Sequence, residues 1–175
     1  MAGHTLIVGG TGMLSGLTKA LPGDGGRLSL LSRRASAFPG IEGFDVDYYD
    51  AAAFQRAVDA AIVRSGPVDL AIAWFHSLKL PAPRLLAERV SGRMFQVLGS
   101  ALADPAHPER LELARAVAAD LPDCAARQVV LGFKLEAGGS RWLTNAEISD
   151  GVLEAVRTDR AYTIVGQAEP WSARP

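Results

Sequence analysis

The chain has 175 residues, 49% hydrophobic and 21% charged, enough apolar material for one globular core and unlike a disordered chain. A formal net charge of -1 with no basic run argues against nucleic acid as a partner, and the single cysteine, Cys124, excludes an internal disulfide and a cysteine-rich metal site. No apolar stretch approaches the roughly 20 residues that cross a bilayer, and Gly9 interrupts the first apolar run, so neither a membrane span nor a signal segment is expected and a cytoplasmic location is the default.

Strand and helix patterns alternate from end to end. Residues 4–8 read as a first strand, and residues 12–21 as a helix broken at Pro22-Gly23. A second strand is expected at 27–32, a loop at 36–43 and a short third strand at 44–47. Asp50 can cap a helix with Phe54, Val58, Ala61 and Ile62 on one face, stopped at Ser65-Gly66-Pro67. The most apolar run, 68–75, predicts a central strand buried on both faces. Pro81 and Pro83 introduce a helix through Leu85, Leu86 and Val90 that Gly92 closes, and 94–98 reads as strand five.

After a loop at 104–108, Leu111, Val117 and Leu121 mark a helix, and 128–133 reads as strand six. Thr144-Asn145-Ala146-Glu147 is a capping-box sequence before a helix burying Ile148, Val152 and Val156. Residues 162–165 read as strand seven, and 168–175 as a tail. Seven strands separated by helices predict a single α/β domain over 1–175, a three-layer, doubly wound parallel sheet of the Rossmann type.

The most informative stretch is the turn after the first strand. Gly10-Thr11-Gly12-Met13-Leu14-Ser15 matches G-x-G-x-x-G except for Ser15 at the last position, with Gly16 one residue later. Placed between a strand and a helix, such a turn brings main-chain amides close to a pyrophosphate. Gly9, Gly10, Thr11, Gly12 and Met13 are therefore expected to hold a dinucleotide. The alternative is a glycine-rich turn with no ligand. Strand two ends in Ser32-Arg33-Arg34 with no acid nearby, which suits the 2′-phosphate of NADP(H) better than the bare ribose of NAD(H). Two solvated loop cations are the plainer reading.

On these residues the chain resembles the short-chain dehydrogenase/reductase superfamily, as a small and divergent member. The resemblance runs from the Gly9-Gly10-Thr11-Gly12 turn to Val165. It implies that Asp47, in Val46-Asp47, meets the adenine and that Ser100, in Gly99-Ser100, lies near the nicotinamide. Ala73-Trp74-Phe75-His76 occupies the place of the family's Asn-Asn-Ala-Gly stretch without matching it. The family's proton donor, a tyrosine followed four residues later by lysine, is absent: none of Tyr48, Tyr49 and Tyr162 has a lysine at that spacing.

Other groups lie where ligands bind such sheets, at the carboxyl ends of the strands. His76 and Ser77 follow strand four, Ser100 follows strand five, and Lys134 lies near the end of strand six. His76 and Ser100 are the candidate catalytic pair, His76 as proton donor and Ser100 as orienter of a carbonyl or flavin edge. A half-buried, backbone-bonded His76 and a Ser100 that only makes a turn are the alternatives. Gly138-Gly139 and Arg141-Trp142 read either as a mobile cover for the nicotinamide or, more simply, as a core tryptophan beside a solvated arginine.

Two functions follow: an NADP(H)-dependent oxidoreductase acting on a flavin, quinone or carbonyl, or an NADP(H)-sensing module without turnover, as in regulators of this superfamily. The resemblance also implies a homodimer through residues 83–90 and 109–121, with Leu113 in the contact. No metal is expected.

Overall fold

The apolar runs pair side by side. In the computed structural model, which describes residues 3–21, 26–121 and 124–175, seven strands form one parallel sheet. They are β1 (His4–Val8), β2 (Arg27–Ser32), β3 (Glu42–Asp45), β4 (Val68–Trp74), β5 (Val90–Leu98), β6 (Ala125–Leu131) and, after a two-stranded hairpin described below, β9 (Tyr162–Val165). Their order is β3-β2-β1-β4-β5-β6-β9, so the direction of winding reverses between β1 and β4.

Helices cover both faces. On one, α2 (Ala51–Ser65) and α3 (Ala82–Ala87) bury Phe54, Val58, Ala61, Leu86 and Ala87 against Leu6, Val8, Ala71 and Ala73. On the other, α1 (Ser15–Ala20) and α5 (Asn145–Thr158) pack Leu17, Ile148, Val152 and Ala155 on Ile7, Ile72, Phe95 and Val129. The helix α4 (Glu109–Ala119) meets the sheet through buried Ala114, whose carbonyl accepts a 2.7 Å hydrogen bond from Gln128 Nε2. Leu111, Val117 and Leu121 are only half-buried there. The expected caps form: Asp50 Oδ1 accepts from the Ala53 amide at 2.9 Å, and Thr144 and Glu147 make the reciprocal capping box.

Several boundaries move, each for a tertiary reason. The helix expected from residue 12 begins at Ser15, and its expected stop at Pro22-Gly23 lies outside the described residues. β3 starts at Glu42, two residues early, because Ser29 to Ser32 of β2 pair with Glu42 to Asp45. Val90 and Gly92 do not close a helix. They start β5, since Val90 pairs with Val68 across the ladder and Ser91 Oγ donates to the Val68 carbonyl at 3.0 Å. Phe133 leaves the sheet, so that β6 ends at Leu131.

The turn after β1 is set by packing. Gly10 is buried, and a Cβ there would lie 2.5 Å from Thr18 Oγ1 and 2.7 Å from both Ile7 Cγ2 and Leu30 Cδ1. The close helix–strand approach thus falls on Gly10, five residues before Ser15. Gly12 in contrast has nothing within 4 Å of the same position. Gly10→Ala is expected to cost about 1–3 kcal/mol in urea unfolding, as overpacking does. Gly12→Ala should leave the midpoint near that of the unchanged chain; equal losses would sink this packing account.

Candidate functional site

The turn between β1 and α1 carries a row of unpaired donors. Gly9 sits at φ 79, a conformation that a side chain would strain. It donates to the Leu31 carbonyl at 2.9 Å, which ties the turn to the end of β2. Beyond it, the Ser15 amide returns to the Gly12 carbonyl at 2.9 Å, and Ser149 Oγ of α5 holds the Met13 carbonyl at 3.0 Å. The amides of Thr11, Gly12 and Met13 have no acceptor among the described residues. With α1 only six residues long, its dipole is slight, and the donors on offer at this turn are the loop amides.

A crevice of about 770 Å³ opens over these amides at the reversal in strand order. The turn contributes Gly9, Thr11, Gly12 and Met13, and the end of β2 contributes Ser32, Arg33 and Arg34. Both arginines are exposed, and neither has an ion-pair partner among the described residues. After β3 come Asp47, Tyr48 and Tyr49, while Trp74 ends β4 and His76 follows it. Asp47 Oδ1 accepts from the Tyr49 amide at 3.0 Å, which curls this loop.

Three of these neighbours, Tyr48, Tyr49 and Trp74, carried no weight in the sequence as crevice residues. Tyr48 stacks on Tyr49 with ring centres 5.0 Å apart and meets Phe75 edge-on at 5.2 Å. Its hydroxyl is hydrogen-bonded to His76 Nδ1. Burial pushes the Tyr48 phenol above its ordinary value, so the hydroxyl stays protonated near neutral pH. His76 is exposed, with a phenol and not the backbone as its partner, which replaces the half-buried reading. The consecutive aromatics after β3 were the available signal; a contact spanning 28 residues was not.

Trp74 separates two sites. Its Cβ lies 3.4 Å from where a side chain of Gly9 would begin, and its Cη2 lies 3.7 Å from the same point on Gly99. The indole therefore reaches from the end of β1 to the end of β5. Beyond it is a second, smaller cavity of about 220 Å³, lined by Gly99, Ser100, Leu131, Gly132, Trp142, Leu143 and Ile148. His76 and Ser100 are thus divided between two cavities. Gly10 lies beneath the crevice, packed in the core, and Ser77 Oγ accepts from the Lys79 amide at 3.2 Å in its own loop.

The segment read either as a mobile cover or as a core tryptophan beside a solvated arginine does not bury its tryptophan. It is an antiparallel hairpin, β7 (Phe133–Glu136) and β8 (Gly139–Trp142). Trp142 is 45% exposed. Arg141 is not left to solvent: it grips Glu147 through Nη1 and Nη2 at 2.8 and 3.0 Å, and Glu136 through Nε at 2.5 Å. Lys134 Nζ also pairs with Glu147, at 2.6 Å. These cations and the Thr144 amide hold the Glu147 carboxyl far below the usual carboxylate range.

A depressed carboxylate adds stability above its unfolded-state pKa of about 4.3 and loses it as pH falls toward the folded value. Glu147→Gln should therefore lower the thermal midpoint at neutral pH, with the gap narrowing as the medium is acidified below about pH 4. A gap independent of pH would remove Glu147 as the electrostatic anchor of the hairpin.

No protein-family profile and no curated protein matches the sequence. Solved structures do match its shape. A short-chain dehydrogenase/reductase from Serratia marcescens BCRC 10948 superposes with TM-score 0.66 at 18% identity, covering 93% of this chain and 94% of that one. An apo SCOR enzyme from Clostridium thermocellum gives 0.71 at 17%, covering 98% and 94%. An alcohol dehydrogenase from the archaeon Thermococcus sibiricus, complexed with 5-hydroxy-NADP, gives 0.65 at 16%, covering 95% and 96%. The chain has the three-layer Rossmann fold of the short-chain dehydrogenase/reductase structures.

Proposed function

We propose that this protein is an NADP(H)-dependent oxidoreductase that moves hydride between the cofactor and a small acceptor, a flavin, quinone or carbonyl. The observation that carries this reading is the pairing, in one crevice, of free main-chain amides at Thr11 to Met13 with two unpaired arginines, Arg33 and Arg34. The amides suit the pyrophosphate, and the arginines suit the 2′-phosphate of the adenosine half. Asp47 and the Tyr48–Tyr49 stack flank the place for the adenine. The cofactor when bound supplies the hydride. Ser100, 8% exposed, is the group placed to orient an acceptor beyond Trp74.

A second reading, an NADP(H) sensor without turnover, is favoured by one feature. Both proton-bearing candidates already have partners: His76 binds Tyr48, and Ser100 Oγ accepts from Arg174 Nε at 3.2 Å. The proposal includes a homodimer through α3 and α4, where Leu113 is 43% exposed. Among the described residues no helix is long and apolar enough to cross a membrane, and a cytoplasmic location is part of the same proposal.

Calorimetry should find NADPH bound more tightly than NADH, and the double variant Arg33→Ala/Arg34→Ala should lose at least about tenfold for NADPH with little change for NADH. Indifference to NADPH at millimolar concentration would end the reading. Absorbance with a panel of flavins, quinones and aldehydes then separates the two functions. NADPH oxidation that drops in Ser100→Ala and His76→Ala supports the enzyme, and tight binding with no oxidation of any acceptor supports the sensor.

A further inference from the structure

The carboxyl end of the sheet holds a third unpaired arginine. After β9 the chain pairs Gln167 with Phe133 and then returns to Ser100, just past β5, through a one-turn helix, Trp171–Ala173, that precedes Arg174. The Arg174 guanidinium carbon lies 4.8 Å from the centre of the Trp142 ring and 4.9 Å from that of Trp171. Its Nε donates to Ser100 Oγ at 3.2 Å. Nη1 and Nη2 have no acceptor among the described residues. The neighbouring cations differ: Arg141 and Lys134 are neutralised by Glu136 and Glu147 together. Arg174 is held in place by aromatic faces and a hydroxyl, with its charge left over.

Beside it lies the smaller cavity. Trp142 and Ser100 belong both to that cavity and to the contacts of Arg174. Leu131, Leu143 and Ile148 make the remaining walls apolar, and among the described residues Ser100 is the only hydroxyl on them. At about 220 Å³ the cavity falls below the roughly 300–1,000 Å³ of sites for drug-sized ligands, which limits an occupant to one ring or a short branched chain. A greasy slot with a single fixed cation at its edge selects for a small apolar body carrying one anionic head. The planar, two-pronged edge of a guanidinium matches a carboxylate best.

We propose that Arg174, clamped by Trp142 and Trp171 beside Ser100, forms with this cavity a subsite for a small monocarboxylate of apolar body. The inference rests on the nucleotide reading for one point: the carboxylate then anchors a small acceptor whose body carries the carbonyl or quinone group, since a flavin exceeds this cavity. Cation–π contact fixes the guanidinium before the ligand arrives, so little side-chain freedom is lost on binding. Arg174 is a specificity-determining residue on this account. Ser100 exchanges its bond to Arg174 for one to the ligand.

The test uses the full chain and two matched pairs of probes: benzoate with benzamide, and isovalerate with isovaleramide. Each is titrated by calorimetry, with tryptophan emission as a second readout because Trp142 and Trp171 flank the arginine. At least one acid should bind about tenfold or more tightly than its amide. Arg174→Gln should bring that acid down to the level of the amide, and Arg174→Lys should keep part of the preference. NADPH affinity should be the same in all three proteins, since Arg33 and Arg34 lie across Trp74. If neither acid outbinds its amide, or if Arg174→Gln keeps the preference, the proposal is wrong. Loss of NADPH binding by the unchanged chain would instead overturn the nucleotide reading and leave the carboxylate result standing.

Discussion

The close approach at Gly10 is the constraint on which the site depends. Helix α1 can sit down on β1 and β2 only because no Cβ separates Thr18, Ile7 and Leu30 at that point. Thr18 completes the contact by donating from Oγ1 to the Gly10 carbonyl at 2.9 Å. Once the chain is pinned there, residues 11–14 must form a tight, irregular loop before the helix begins at Ser15. That loop has no room for a regular ladder, so its amides stay unpaired. The donors that face the crevice are thus a by-product of core packing, stabilised by the apolar layer below them and indifferent to whether a ligand is present.

Charge is distributed with the same economy. Arg84, Arg89, Arg127 and Arg141 each have a carboxylate within 3.2 Å, and these pairs staple neighbouring elements together. Among the described residues Arg33, Arg34 and Arg174 have no such pair, like Arg27, Arg56, Arg115, Arg157 and Arg160, but these three lie at the carboxyl ends of the strands. Exposed arginines without partners are common on any surface. What separates these three from ordinary surface cations is company: the first two border free amides and a tyrosine stack, the third is wedged against two indoles.

Much of the fold was legible because burial and pattern agree. The runs of β1, β2 and β9 and the capped start of α5 coincide with expectation, since continuous apolar stretches and a Thr-x-x-Glu cap carry their own local signal. Legibility failed where a partner elsewhere in the chain decides. Ser91-Gly92-Arg93 looks like the end of a helix, yet the ladder with β4 draws it into β5. The hairpin of β7 and β8 was hidden because its alternation is carried by ion pairs, Lys134 and Arg141 both reaching Glu147 in the next element. Residues of the glycine turn and of Arg33-Arg34 were readable as a crevice. The division of His76 from Ser100 was not, because it depends on how far one indole extends.

That indole sets the terms for any chemistry. Trp74 takes the place at the end of β4 where the ladder pairs it with Val97 of β5, and its ring spans the ground between the two cavities. On the proposed reading, a hydride donor bound in the crevice and an acceptor beside Ser100 would have to meet at the edge of this ring, since hydride transfer needs direct contact. A flat apolar surface there does two useful things at once. It excludes water from the line of transfer, and it offers a face on which a planar ring can rest. Neither requires a proton donor from the protein, and His76 and Tyr48 are bonded to each other on the other side of the indole from Ser100. On the proposed reading, an acceptor that needs little proton assistance is the kind this arrangement suits.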